Sequence, residues 1–200
     1  MDILNVKNGL INIRTGEFKV HDPNFLSLVQ LPVPYNHKAH PKKIIIFMYN
    51  VLDPSDVPLM LEYIGYCLVR TNKLQKDLMC VGYEDNGKSV MLKVITKLLG
   101  RENISSKTLH SLVSERFVTA NLFGKLANIF ADLSSKRLQD VEAFKVLTSG
   151  DRIVGAFGHC THGHDKPRIL NRKYCTYPVG HEEISHNPEW DLSLIYRQNL

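Results

Sequence analysis

The feature that most constrains this chain is the stretch from Asp77 to Leu99. It reads D-L-M-C-V, then G-Y-E-D-N-G-K-S, then V-M-L-K-V-I-T-K-L-L. The middle satisfies G-x-x-x-x-G-K-[ST] at Gly82, Gly87, Lys88 and Ser89. The short apolar run Leu78 to Val81 reads as a buried strand. Met91, Val94, Ile95 and Leu98 recur at helical spacing, and Gly100 stands where a helix would stop. Strand, glycine loop and helix start bring backbone N–H groups and the positive end of a helix dipole onto phosphate oxygens. Lys88 would then reach the terminal phosphates and the Ser89 hydroxyl would bind Mg²⁺. The bland alternative is a lysine-bearing turn between two core elements.

Such a cradle needs a carboxylate for the metal and a way to orient water. Lys125 to Ala131 reads as a buried strand, and Asp132 follows it, about forty residues after Lys88. An acid at the end of that strand suits the metal, although an Asp can also simply end a strand or cap a helix. Glu142 is the second candidate, in a helical context.

Two hundred residues suffice for one good core, with or without a small appendage. The most apolar long run, Lys43 to Val51, is too short to cross a membrane. Asp2 and Asn5 precede any apolar stretch, so no signal peptide is expected, and a cytoplasmic setting is the expectation. A net charge of +5 permits nucleic-acid binding without requiring it. Four scattered cysteines argue for reduced thiols rather than a disulfide framework.

Residues 3 to 20 carry turn signals at Asn8-Gly9 and Thr15-Gly16, which predicts two or three short strands in hairpins. His21-Asp22-Pro23 closes that unit. Prolines at 32, 34 and 41 predict extended or looped chain. Ser55 is a plausible N-cap for a helix with Val57, Met60, Leu61, Ile64 and Leu68 on one face. The polar connection Thr71 to Lys76 is the best domain boundary, dividing 1–74 from 75–200. Ser105 and Ser106 can cap a helix bearing Leu109, Leu112 and Val113, and Phe117 to Leu122 forms a short apolar piece. Asp140 can cap a helix with Val141, Phe144 and Leu147. Strands alternating with helices imply an α/β fold with a parallel sheet, preceded by a small strand-plus-helix domain.

Several segments together resemble the phage and plasmid primase–helicase family, whose motor belongs to helicase superfamily 3. They are N-V-K-N-G-L-I-N-I at 5 to 13, H-D-P at 21 to 23, L-P-V-P-Y at 31 to 35 and L-E-Y-I-G-Y at 61 to 66. Q-K at 75 to 76, N-G-K-S at 86 to 89, R-F-V-T-A-N-L-F-G-K-L-A-N at 116 to 128 and F-K-V-L-T-S-G-D-R-I at 144 to 153 complete the set. The resemblance implies an AAA+-like P-loop ATPase that forms a hexameric ring and uses ATP and Mg²⁺ to move on single-stranded DNA. It assigns nucleotide binding to Gly82, Asn86, Gly87, Lys88 and Ser89, the metal to Ser89 and Asp132, and catalysis to Lys88, Asp132 and Arg197, the last as an arginine finger. It also implies a primase domain or partner; nothing here resembles one, so a helicase-only version or a piece of a longer protein is expected. Three residues set this loop apart from the family's: Tyr83, Glu84 and Asp85, two of them carboxylates beside the expected polyphosphate. After about 158 the match weakens, and the family's sensor asparagine would fall at Glu182, in a strand at 180 to 185.

The tail holds His159, Cys160, His162, His164, Cys175, His181 and His186 without zinc-finger spacing. Arg152, Lys166, Arg168, Arg172 and Lys173, with Tyr174 and Tyr177, suit a surface that tracks a nucleic-acid backbone, or an ordinary solvated face. Two further readings compete with the motor. One is a nucleotide-binding assembly module that has lost turnover. The other is a P-loop kinase, which would want an arginine-rich lid after Asp132.

Overall fold

The computed structural model describes residues 3–71, 73–80, 86–115, 117–130 and 174–176. Its architecture is mixed α/β with two small sheets.

The first sheet is an antiparallel meander of β1 (Ile3–Val6), β2 (Gly9–Asn12) and β3 (Phe18–Lys19), as the turn signals predict. The two glycines act differently. Gly16 has φ +72° and makes the left-handed step of the β2–β3 turn. Gly9 allows close approach: a Cβ there would overlap the Lys19 carbonyl oxygen and come within 2.6 Å of the Phe18 ring. The proline-rich stretch runs extended beside β1. Leu31 N–H donates to Asn5 O at 2.8 Å and Lys7 N–H to Val33 O at 3.1 Å. Pro32 and Pro34, which have no N–H, alternate with residues that bond to β1.

Two helices follow. The run Lys42–Val51 forms α1, and Asp56–Leu68 forms α2. Ser55 precedes α2 but makes no side-chain cap; Asp53 Oδ1 accepts from Ser55 N at 2.8 Å and Ser55 Oγ at 2.6 Å instead. The inward face of α2 is also rotated from the expected one. Val57, Met60, Tyr63 and Cys67 are buried, whereas Leu61 is 41% exposed.

The second sheet is parallel and ordered β4 (Leu78–Met79), β7 (Tyr174–Thr176), β6 (Ala127–Ile129), β5 (Ile104–Ser105). Helix α3 spans Lys88–Leu99 and buries Met91, Leu92, Ile95 and Leu99, one face of the expected helix; Val94 and Leu98 flank it half-buried. Ser105 belongs to β5 rather than to a cap. Helix α4 (Leu109–Ser114) is capped by Thr108, whose Oγ1 accepts from Ser111 N at 3.1 Å. Val118–Leu122 is a 3₁₀ turn. The helix expected after Asp140 lies outside the described residues.

One core joins both sheets. Val6, Val29 and Leu31 pack in the same cluster as Met48, Met60, Leu78, Met91, Ile95 and Ile129. This buried set crosses the boundary expected at residue 74. Asn103 reinforces it: its Nδ2 donates to Gln30 O and to Leu99 O, each at 2.7 Å, while its backbone carbonyl accepts from Leu126 N at 2.7 Å. No described helix is long and apolar enough to cross a membrane.

Candidate functional site

Strand β4 leads toward the phosphate-loop motif, and the described chain resumes at Asn86. Gly87 has φ +87° and ψ −1°, a left-handed step open to glycine and costly to residues with a Cβ. Helix α3 begins at the next residue, so Lys88 and Ser89 occupy its first turn. The first turn of a helix has N–H groups with no partner within the helix, and Gly87 has no side chain to cap them. An anion placed there meets those N–H groups and the positive end of a 12-residue helix.

Lys88 is the buried cation of the site, 7% exposed, with Nζ donating to Asn86 Oδ1 at 2.7 Å. The bond holds the ammonium beside the loop. A buried lysine is costly unless hydrogen-bonded or paired with negative charge. Ser89 is exposed on the first turn. The four residues Asn86 to Ser89 thus stand together at the start of one helix, in the order of the motif.

A contact absent from the motif lies behind the loop. A Cβ on Gly87 would fall 2.8 Å from Val51 Cγ1 and 3.7 Å from Phe47 Cζ. The end of α1 therefore presses on the last glycine of the motif. The only signal for this in the sequence is the apolar run itself.

The sheet order bears on the rest of the site. Strands β4 and β6 run parallel with β7 between them, about 10 Å apart by ordinary strand spacing. Their carboxyl ends share one edge of the sheet, the edge at which open α/β sheets bind ligands. The motif follows β4 at that edge, and Asp132 comes three residues after the last residue of β6. Asn128 fixes β6 from within: it is 1% exposed, with Oδ1 accepting from Lys107 N at 2.9 Å and Nδ2 donating to Lys107 O at 2.8 Å.

Gly82, Asp132, Arg197 and the cations Arg152, Lys166, Arg168, Arg172 and Lys173 lie outside the described residues, as do Glu84, Glu142, Glu182 and the tail histidines. The tail nevertheless supplies a strand, β7, which ends at Thr176, six residues before Glu182. Among the described residues no group of His, Cys, Asp and Glu could hold a metal by itself.

Comparison with known proteins gives two family matches on separate parts of the chain. Residues 1–56 match a family described as D5 N terminal like. Residues 80–156, which include the phosphate-loop motif and Asp132, match a family of unknown function, DUF5906. No curated protein matches. Among solved structures, the apo structure of the NrS-1 C-terminal region aligns with a TM-score of 0.55 at 14% identity, over 89% of this chain and 40% of that one. Two A-form apo structures of the same region give 0.54 and 0.53, both at 14% identity, covering 72% and 89% of this chain. At that identity the likeness shows the fold alone. This chain spans 33–40% of the length of those chains.

Proposed function

We propose that this chain carries the ATP-dependent DNA helicase motor of a mobile-element replication protein, of the superfamily 3 type. One observation carries the reading: a left-handed Gly87 starts a helix at a buried Lys88, beyond a parallel strand whose carboxyl end shares an edge with β6. The D5 N terminal-like match at 1–56 supports the same reading.

In it, the amides of the loop through Gly82, Gly87, Lys88 and Ser89 hold the phosphates of ATP. Lys88 leaves Asn86 for the terminal phosphates. Mg²⁺, when bound, neutralises developing charge, with Ser89 and Asp132 as its protein partners. The sensor position is Glu182, six residues after the last residue of β7. Arg197 acts across a subunit junction in a hexameric ring; an arginine finger is worth about 10³–10⁵ in rate. Arg152, Lys166, Arg168, Arg172 and Lys173 face single-stranded DNA, the last two standing immediately before β7 in sequence. Residues 1–74 form the domain that precedes the motor, and 75–200 carry the ATPase.

The test is ATP hydrolysis with and without single-stranded DNA. The expected result is DNA-stimulated turnover that Lys88→Ala lowers by at least about 10²-fold, while Lys97→Ala, exposed at the far end of α3, has no effect. Unchanged turnover in Lys88→Ala overturns the reading. Glu84, Glu182 and the weakened match of the tail favour a second one, an assembly module without turnover. ATP binding with no hydrolysis in the presence of DNA selects it.

A further inference from the structure

We propose that α1 seats Gly87, the last glycine of the phosphate-loop motif, and that Val51 is the residue that positions it. The inference rests on the reading of the loop as a nucleotide site, and adds a determinant of affinity outside the motif.

The argument is geometric. Phe47 and Val51 lie one turn apart on α1 and both pack against the shared core. Met48, 1% exposed, and Leu52, 5% exposed, anchor the same end of the helix, and Leu52 N–H donates to Met48 O at 2.8 Å. The end of α1 is therefore held in the core while Val51 reaches Gly87, where a Cβ would come within 2.8 Å of Cγ1. Only the short, branched Val51 side chain separates the two backbones, so a shift of α1 is transmitted to Gly87 through one stiff contact. Gly87 is followed at once by Lys88 and Ser89, whose N–H groups open α3. The left-handed step at Gly87 sets where those N–H groups point. Close packing makes the arrangement stiff, because a packed interior transmits small displacements rather than absorbing them. Removing the Val51 methyls leaves a space into which the Gly87 backbone can relax, and the amides turn with it.

The test uses the full chain with Val51→Ala, Val51→Thr and Ile44→Ala. Ile44 is an α1 side chain packed on the same core and is not among the three atoms nearest a Gly87 Cβ. Two readouts are taken: affinity for MgATP, and exchange of the Lys88 and Ser89 amides without nucleotide. Val51→Ala is expected to weaken MgATP by about tenfold, the lower part of what an ångström-scale misplacement produces. It should also speed exchange at both amides. Val51→Thr, which keeps the branched outline, should return affinity to within about threefold, and Ile44→Ala should match wild type in both readouts despite comparable lost stability. If Val51→Ala does not fold, Phe47→Leu, which withdraws the ring atom nearest Gly87, replaces it. Equal losses in Ile44→Ala and Val51→Ala overturn the inference, as does exchange at Lys88 and Ser89 that Val51→Ala leaves unchanged. A wild-type chain that binds no MgATP overturns the functional reading instead, and the exchange experiment then decides the seating by itself.

Discussion

The two sheets of this protein are built on opposite terms. The meander β1–β3 closes within residues 3–19, each strand pairing with the next through a short turn. The parallel sheet takes strands of two or three residues from 78, 104, 127 and 174, and β4 pairs with β7 across nearly half the chain. A two-residue strand contributes little of its own, so this sheet depends on what packs around it. Its fastenings are buried amide side chains, Asn103 and Asn128, and the apolar face of α3. Local pairing makes the first sheet robust; long-range pairing makes the second dependent on single side chains.

Two of the positive-φ glycines, one in each region, give the largest predicted contrast. Gly16 has φ +72° and nothing within 4 Å of where a Cβ would stand, whereas Gly87 has φ +87° and faces Val51 at 2.8 Å. Gly16→Ala should cost only the backbone strain, about 1–2 kcal/mol. Gly87→Ala adds overpacking of about 1–3 kcal/mol, for about 2–5 kcal/mol in all, and should lose MgATP binding. Urea denaturation of the two variants measures the gap; equal midpoints would show that α1 yields to the new methyl and does not press on the loop.

Next in size are the amide fastenings. Asn128→Ala removes both bonds to Lys107 inside β6 and should cost about 2–3 kcal/mol. Asn103→Ala strips the bonds to Gln30 O and Leu99 O and should cost about 1–3 kcal/mol. Because Asn103 ties the segment beside β1 to α3, its loss tests whether the regions share one core. Exchange at β1–β2 and at β5–β6 should report a single unfolding transition in wild type. Two separate transitions there would mean that residue 74 divides two folding units.

This contrast also explains what could be read from the residues. The meander was legible because Asn8-Gly9 and Thr15-Gly16 act on adjacent strands. The helix after Gly87 was legible because its start, its apolar spacing and Gly100 all lie within 14 residues. Strands β5 and β7 were not: two or three residues carry no period, and their partners lie far away in the chain. The helical state of Lys42–Val51 was also hidden, since three consecutive isoleucines favour a strand on propensity and burial decides otherwise. Its contact with Gly87 is tertiary and leaves no trace in the motif. Of the site, Asn86 to Ser89 were legible as a unit because the motif encodes local geometry.

The smallest predicted effects concern helix starts, where one region again differs from the other. Thr108 precedes α4 with extended backbone (φ −65°, ψ 152°), and its hydroxyl accepts from Ser111 N. Ser55 precedes α2 already in helical conformation (φ −68°, ψ −24°), so its hydroxyl cannot serve the first turn as a cap would and donates to Asp53 instead. A serine or threonine before a helix reads alike in sequence; the backbone conformation decides which of them caps. Thr108→Ala should therefore cost about 1 kcal/mol and Ser55→Ala only a few tenths, about 0.3 kcal/mol. Asp53→Ala, which releases both the Ser55 N–H and its hydroxyl, should cost about 1 kcal/mol and exceed Ser55→Ala. Denaturation midpoints of the three single variants settle the order. A Ser55→Ala loss as large as that of Thr108→Ala would mean that the hydroxyl caps α2 in solution after all, and that the Asp53 turn is a minor arrangement of the same start.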